Sequence, residues 1–133
     1  AILHTKIAIA QSKGISVNTK IQIPEKLAVD PIDICNIFGN SLDNAIEACE
    51  MIPDDGKKIS ITIFCKDEAL FCRIANSAQK PAGKLLQTSK ADKKNHGFGL
   101  ENMKASLAKY NGVPSIERTD SEFILKFIIF TKE

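Results

Sequence analysis

Short polar side chains recur in the segment around NSLDNAIEACE, and their spacing makes them candidates for binding chemistry. They lie three or four positions apart and form a polar stripe, which consists of Asn36, Asn40, Asp43, Asn44 and Glu47. Such spacing places the side chains on one face of a helix. Asn and Asp are poorer helix formers than Ala, by roughly half a kcal/mol each. Carboxamide oxygens are suitable ligands for Mg²⁺, so the stripe predicts a surface that faces a ligand.

A second candidate lies at residues 95–103, where the sequence NHGFGLENM places two glycines at the start of a predicted helix. Gly97 and Gly99 allow the backbone to approach a ligand closely, and the free N–H groups of a helix start bind phosphate. Three lysines at positions 90, 93 and 94 add positive charge there. Alone, such glycines more often form a tight turn. Combined with the stripe, they predict a nucleoside triphosphate between a helix and a loop.

The first half of the chain is predicted to place a strand between two helices. Residues 2–13 have helical apolar spacing, and Gly14 ends that helix. Residues 15–23 alternate as a strand does, with one apolar face formed by Ile15, Val17, Ile21 and Ile23. Asp30 can cap the next helix, which carries the polar stripe and ends before PDDG. Asp33 lies in its first turn, where the helix dipole favours an anion.

The second half is predicted to contain two hairpins with a long loop and a helix between them. Residues 58–78 alternate on both sides of a KDEA turn. Residues 77–96 have no periodicity, and a loop of this length in a compact domain is typical of a functional lid. A helix follows from Leu100, and strands 115–119 and 123–131 form the last hairpin. We therefore predict one α+β domain over the whole chain, a two-layer sandwich whose mixed, mainly antiparallel sheet is covered by three helices.

Composition argues against several classes of function. The net charge is +2, and the chain has no Trp and one Tyr, so a nucleic-acid-binding role has little support. The longest apolar run is too short to span a bilayer, so no direct membrane contact is expected. The four cysteines lack CxxC spacing and are predicted to be small buried hydrophobes; they are Cys35, Cys49, Cys65 and Cys72.

These motifs together resemble a known family. NSLDNAIEA is similar to the asparagine box of GHKL ATPases, and HGFGLENM is similar to their second glycine box. The pair most resembles the ATP-binding catalytic domain of bacterial sensor histidine kinases, in particular the citrate/dicarboxylate-sensing and accessory-gene-regulator groups. The resemblance extends over essentially the whole chain. It implies the GHKL fold, with ATP and Mg²⁺ as cofactors.

The resemblance also implies roles for individual residues. Asn44 would coordinate Mg²⁺ and Asn40 would contact phosphate or metal, both as catalytic residues. Asn76 stands where the family usually has the aspartate that accepts a hydrogen bond from the adenine amino group. Residues 77–96 would form the ATP lid, with Lys90 as a catalytic phosphate contact. The remaining cofactor-binding positions lie at the helix start; they are His96 (in a positioning role), Gly97, Gly99 and Leu100.

The sequence departs from the family pattern at two positions, and each departure leads to a prediction. The first glycine box here is NSAQK, and the amide of Asn76 carries a donor as well as an acceptor, so we expect looser base selectivity. Asn40 replaces the glutamate that activates water in the gyrase branch. Fast intrinsic hydrolysis of ATP is therefore not expected, which suits a kinase that transfers its phosphoryl group to a histidine.

The expected partners follow from the resemblance. The chain begins at Ala1 rather than Met, and is expected to be an excised cytoplasmic domain of a membrane-anchored sensor. His4 lacks the acidic neighbour of a phosphoacceptor, so the acceptor histidine is expected on a separate dimerisation domain, with a response regulator downstream. Two alternatives remain open: an anti-sigma-type serine kinase, and a degenerate nucleotide-binding module that acts only through interactions.

Overall fold

The structure is a computed structural model that describes residues 2–53, 55–79 and 99–131. Within these ranges, five strands form a single sheet: β1 (Ser16–Ile21), β2 (Lys58–Lys66), β3 (Ala69–Ser77), β4 (Ser115–Arg118) and β5 (Glu122–Phe130). The helices are α1 (Ile2–Ser12), α2 (Pro31–Ile34), α3 (Asn40–Glu50) and α4 (residues 99–108). A π-helical turn, Cys35–Gly39, joins α2 to α3 without a break. The described part of the chain therefore has three helices, as predicted.

The sheet is mixed and mainly antiparallel, which confirms the predicted fold class. Its strand order is β1-β2-β3-β5-β4. Only β1 and β2 run parallel among the described strands. A parallel pair needs a crossover connection, and the long helix α2–α3 lies between these two strands in sequence. The remaining neighbours are antiparallel, with hairpins joining β2 to β3 and β4 to β5.

The core lies between the helices and one face of the sheet. Side chains alternate across a strand, and apolar, buried side chains fill most inward positions of the three central strands: Ile59, Ile61, Ile63, Leu70, Cys72, Ile74, Leu125, Phe127 and Ile129. Helices α3 and α4 supply the other half of the core, and Phe38 of the π-helical turn lies 5.8 Å from Phe127, between ring centroids. The helical layer is therefore packed against a single sheet face.

Local signals explain where the first helices begin and end. Gly14 has a φ of 78° and its N–H bonds to the Gln11 carbonyl, so it ends α1 in the left-handed conformation that glycine accepts most easily. The Asp30 carboxylate accepts a 2.8 Å hydrogen bond from the Ile32 N–H and caps α2. In the β2–β3 turn, Asp67 and Glu68 both have positive φ, as a two-residue hairpin turn requires. The Gly14 stop, the Asp30 cap and the position of this turn were predicted.

Three apolar predictions were wrong. Ile23 was expected on the apolar face of β1, but the strand ends at Ile21, and Ile23 is exposed. Cys35 and Cys65 were expected to be buried, and both are exposed, whereas Cys49 and Cys72 are buried. Cys65 lies near the end of β2, beside the turn, and Cys35 lies in the π-helical turn. The periodicity of apolar residues alone did not show that these two positions lie outside the core.

Candidate functional site

The helix that carries the polar stripe is interrupted by a π-helical turn at Cys35–Gly39. Such a turn closes i→i+5 hydrogen bonds and contains more residues than an α-helical turn, and it often occurs at functional sites. It changes the phase of the helix between its first and second halves. The stripe predicted from a constant period therefore does not face a single direction, and nothing in the residue spacing shows where the phase changes.

Two stripe residues bind neighbouring helices and have structural roles. The amide of Asn36 donates a 3.2 Å hydrogen bond to Ser106 Oγ on α4. The carboxylate of Asp43 pairs with Lys6 Nζ on α1 at 2.7 Å. These contacts tie α3 and the preceding turn to the helices on either side.

The residue that meets the glycine segment is Asn40, in the first turn of α3. A Cβ atom placed on Gly99 would lie 3.6 Å from Asn40 Oδ1 and 3.8 Å from its Cβ. The described start of α4 therefore lies directly against the Asn40 side chain. Asn44 follows one turn later on the same helical face, and both asparagines are half-buried, as is Leu100. The structure thus brings together the two motifs that lie about fifty residues apart.

Asn76 lies near the end of β3 on the inward face, two residues after Ile74, and only 2% of it is exposed. Its Nδ2 donates a 2.9 Å hydrogen bond to the carbonyl of Ser77. The Ser77 hydroxyl donates to the Gly56 carbonyl at 2.8 Å and accepts from the Lys58 N–H at 3.0 Å. Because Ser77 is held on both sides, the Asn76 amide has a defined orientation. No described residue donates a hydrogen bond to its Oδ1.

A buried carboxylate at the other end of the long helix was not recognised from the sequence. Asp33 is 3% exposed, and it accepts hydrogen bonds from Tyr110 Oη at 2.7 Å and Lys109 Nζ at 3.1 Å. These donors, the tyrosine first, hold the pKa of Asp33 below its ordinary value, against the opposing effect of desolvation. Tyr110 also accepts from the Asp30 N–H at 3.0 Å. This cluster links α2 to the residues directly after α4.

Several predicted positions lie outside the described residues. These are Lys90, His96 and Gly97, together with residues 80–96 of the predicted lid. Their proposed roles stay predictions. Of the predicted site residues, the structure describes Asn40, Asn44, Asn76, Gly99 and Leu100.

The donors at the described site suit a magnesium nucleotide. Asn40 and Asn44 supply carboxamide oxygens, which are neutral, hard ligands, and Mg²⁺ typically takes few protein ligands and completes its shell with phosphate and water. Gly99 leaves backbone exposed beside them, where a side chain would occupy the space. Among the described residues, no three His, Cys, Asp or Glu side chains cluster as a metal site. A cation here would therefore depend on amides and on the ligand's own phosphates.

A family profile described as the GHKL domain matches residues 29–130 of the sequence. The match extends over more than half of the chain and includes the polar stripe, Asn76 and the glycine segment. The chain therefore belongs to the GHKL family. A search among curated proteins gave no match.

The fold is that of histidine kinase catalytic domains. The catalytic domain of the histidine kinase ThkA is similar, with 18% identity, a TM-score of 0.72, and coverage of 98% of this chain and 90% of that one. The histidine kinase AdeS of Acinetobacter baumannii has 14% identity and a TM-score of 0.67, over 99% of this chain. The blue-light activated histidine kinase EL346 of Erythrobacter litoralis has 13% identity and a TM-score of 0.69, over 96%. The chain spans 64% and 57% of those two structures.

Proposed function

We propose that this chain is the Mg-ATP-binding catalytic domain of a sensor histidine kinase, which transfers the γ-phosphoryl group to a histidine on a separate dimerisation domain. The observation that carries the proposal is the contact between Gly99 and Asn40, with 3.6 Å from an added Cβ to Oδ1. It joins the two family motifs in one place, at the start of α4. Membership of the GHKL family, whose domains bind ATP, supports the nucleotide.

Within this site, the asparagines of α3 would hold the cation and phosphates. Asn44 would present its Oδ1 to Mg²⁺, and Asn40 would contact phosphate or metal beside Gly99. The cation neutralises phosphate charge when it is bound. Catalysis of phosphoryl transfer consists mostly of positioning and electrostatic stabilisation, and neutral amides on a packed helix provide a fixed position without adding negative charge.

The other residues would bind the remaining parts of the nucleotide. Asn76 would accept a hydrogen bond from the adenine amino group through its Oδ1, to which no described residue donates. Gly97, Gly99 and Leu100 would form the phosphate-facing start of the helix, with His96 in a positioning role. The predicted lid over residues 77–96 begins after Ser77, because Ser77 is the last residue of β3; Lys90, within this lid, would contact phosphate. Asn40 offers no carboxylate to activate water, so slow hydrolysis follows from the same proposal.

Isothermal titration with Mg-ATP tests the nucleotide site. The wild-type chain is expected to bind, and Asn44→Ala is expected to lose binding at least about tenfold, because one charge-assisted contact contributes about 1.5–3 kcal/mol. Asn18→Ala on exposed β1 is the matched control, and it should bind as the wild type does. No binding by the wild type would instead favour the degenerate interaction module.

The Gly99→Ala variant tests whether phosphate approaches the backbone at Gly99, without a change in folding. The added methyl would lie at ordinary contact distance from Asn40, 3.6 Å from its Oδ1, so the variant is expected to fold. We expect weaker Mg-ATP binding with an unchanged thermal midpoint, because the methyl occupies space that the phosphates need. Full affinity in this variant would show that phosphate does not approach the backbone here.

The acceptor decides between the two kinase classes. We propose a histidine-bearing dimerisation domain as the partner, a response regulator downstream, and a cytoplasmic location. None of the described helices is long and apolar enough to cross a bilayer. Labelling with γ-³²P-ATP in the presence of helical histidine-bearing domains should give acid-labile phosphate. Acid-stable phosphoserine on a partner would favour the anti-sigma-type serine kinase.

A further inference from the structure

The face of the sheet opposite the helices carries a second apolar surface. Cross-strand register places Phe71 of β3 between Phe64 of β2 and Ile128 of β5. The rings of Phe64 and Phe71 stack with centroids 5.1 Å apart. Phe64 and Phe130 are 42% and 43% exposed. Exposed aromatic side chains that lie side by side are unusual on a monomeric surface and typically mark a contact site.

These side chains form the floor of a groove of about 530 Å³. Val113, in the segment after α4, lines one side of this outer groove and is 81% exposed. Among the described residues, the helices pack on the opposite sheet face, so they provide no cover. A volume of this size lies within the range of ligand sites. Because Phe64 and Phe130 are 42% and 43% exposed, the described residues leave the floor only partly covered.

A positively charged row borders the apolar floor. This row consists of cross-strand neighbours on four strands: Thr62, Arg73, Lys126 and Ser115. Arg73 and Lys126 are therefore direct cross-strand neighbours of like charge, an arrangement that is destabilising by itself. Lys126 pairs with Glu117 at 3.3 Å, whereas Arg73 forms no ion pair with a described residue. The groove thus combines an aromatic floor with an excess positive charge at its edge.

We propose that the outer groove binds an amphipathic helix of a partner protein whose apolar face is bordered by Asp or Glu. An α-helix with its side chains is about 10 Å across, and β2, β3 and β5 together span about 10 Å at the usual strand spacing. Such a helix would cover Phe64, Phe71 and Ile128. Its acidic residues would lie over Arg73 and relieve the like-charge pair. This site is independent of the proposed nucleotide site.

Two synthetic peptides of 18 residues test this proposal. Both are helical, with Leu and Phe on one face, and they differ only in whether Glu or Lys residues border that face. In a ¹⁵N NMR titration of the whole chain, the Glu peptide is expected to shift the amides of Phe64, Phe71, Ile128 and Val113. At low salt it should bind at least about tenfold more tightly than the Lys peptide.

Variants check that the groove is responsible. Arg73→Glu should reverse the preference between the two peptides, and Val113→Asp, at a position 81% exposed, should weaken both without affecting folding. Lys26→Glu, a charge reversal at an exposed loop residue outside the groove, should behave as the wild type. All three variants should bind Mg-ATP as the wild type does, which separates this test from that of the nucleotide site.

Four results would overturn the proposal. They are the absence of amide shifts at millimolar peptide, equal affinity for the two peptides, shifts confined to α3 and α4, and tighter binding of sodium laurate than of the Glu peptide. The last would assign the groove to a small amphiphile. Sedimentation equilibrium adds a fifth: a dimer of the free chain that Arg73→Glu abolishes would assign the groove to a second copy.

Discussion

In the proposed nucleotide site, one buried side chain, Asn76, would determine which base is bound. An amide has a donor and an acceptor, and from the sequence this residue was expected to give looser base selectivity than an aspartate. In the structure its Nδ2 is bonded to the Ser77 carbonyl at 2.9 Å. Reversing the amide would place two oxygens against each other and lose this hydrogen bond. The side chain therefore presents only an acceptor, as an aspartate would.

We accordingly predict a clear preference for ATP over GTP. Guanine has a carbonyl oxygen where adenine has its amino group, and it would face Asn76 Oδ1 without a hydrogen bond. A buried unpaired acceptor contributes a penalty of about 1–3 kcal/mol, so GTP should bind about five- to 150-fold more weakly. Competition titrations measure the ratio. Asn76→Asp should keep the preference and Asn76→Leu should lose it; equal affinity of the wild type for both nucleotides would contradict the orientation.

At the scale of elements, the Asp33 cluster connects α2 to the residues after α4. Asp33 accepts from Tyr110 and Lys109, and these contacts lower its pKa from the ordinary 3.8. A lowered folded pKa means that the carboxylate stabilises the fold above about pH 3.8 and loses this effect as the pH falls through the folded value. The Asp33 contact also raises the pKa of Lys109 above 10.5. The contribution of Lys109 to stability is fully present below pH 10.5, and it is lost as the pH rises through the pKa of Lys109 in the folded chain.

We predict that Asp33→Asn destabilises the chain most between about pH 4 and pH 10. Within this window the wild type has both charges, and the variant leaves Lys109 without its carboxylate. Urea unfolding at a series of pH values would measure the unfolding free energy of the wild type and of Asp33→Asn. The difference between the two should become smaller below about pH 4. Asp55→Asn, at an exposed loop position, is the control. A difference that does not change between neutral and acidic pH would show that the charge of Asp33 is not responsible.

The connection from α4 to β4 depends on one glycine. A Cβ on Gly112 would lie 2.6 Å from Leu107 Cγ and would also collide with the Ile128 carbonyl oxygen. Gly112→Ala is therefore expected to lower the unfolding free energy by about 1–3 kcal/mol, the usual effect of overpacking. Gly39→Ala is the matched control, because its Cβ would only reach ordinary contact with Ile2 at 3.7 Å. Equal thermal midpoints for the two variants would contradict this account.

Sequence reasoning predicted these elements well where the signal was local. The Asp30 cap, the Gly14 terminator and the alternation along β2 and β3 depend on neighbouring residues, and all were predicted. The π-helical turn at Cys35–Gly39 was not, because helical periodicity assumes a constant turn. The pairing of Asp33 with Tyr110 was also missed, since it joins positions 77 residues apart. Contacts of that range depend on how the helices pack.

At the scale of the whole molecule, the two proposed sites lie on opposite sides of the sheet. One face carries the packed helices and the buried Asn76, and in the helical layer Asn40 of α3 meets Gly99 at the start of α4. The opposite face carries the outer groove. The nucleotide motifs were predicted from the sequence because their residue types are specific. The groove was not, because Phe64, Phe71 and Arg73 become neighbours only through strand register.

In the absence of a partner, the whole chain is expected to bind ATP without phosphorylating itself. The chain contains two histidines, His4 and His96. His4 is exposed on α1, and it is followed by Thr5 and Lys6 rather than by the acidic residue expected after a phosphoacceptor histidine. We expect Mg-ATP binding without incorporation of phosphate, and phosphate release no faster than that of Asn44→Ala, since Asn40 offers no general base. Intact-mass measurement and a phosphate-release assay check both points. Acid-labile phosphate that disappears in His4→Gln would show that the chain phosphorylates itself, whereas rapid hydrolysis would place it nearer the ATPase branch of its family.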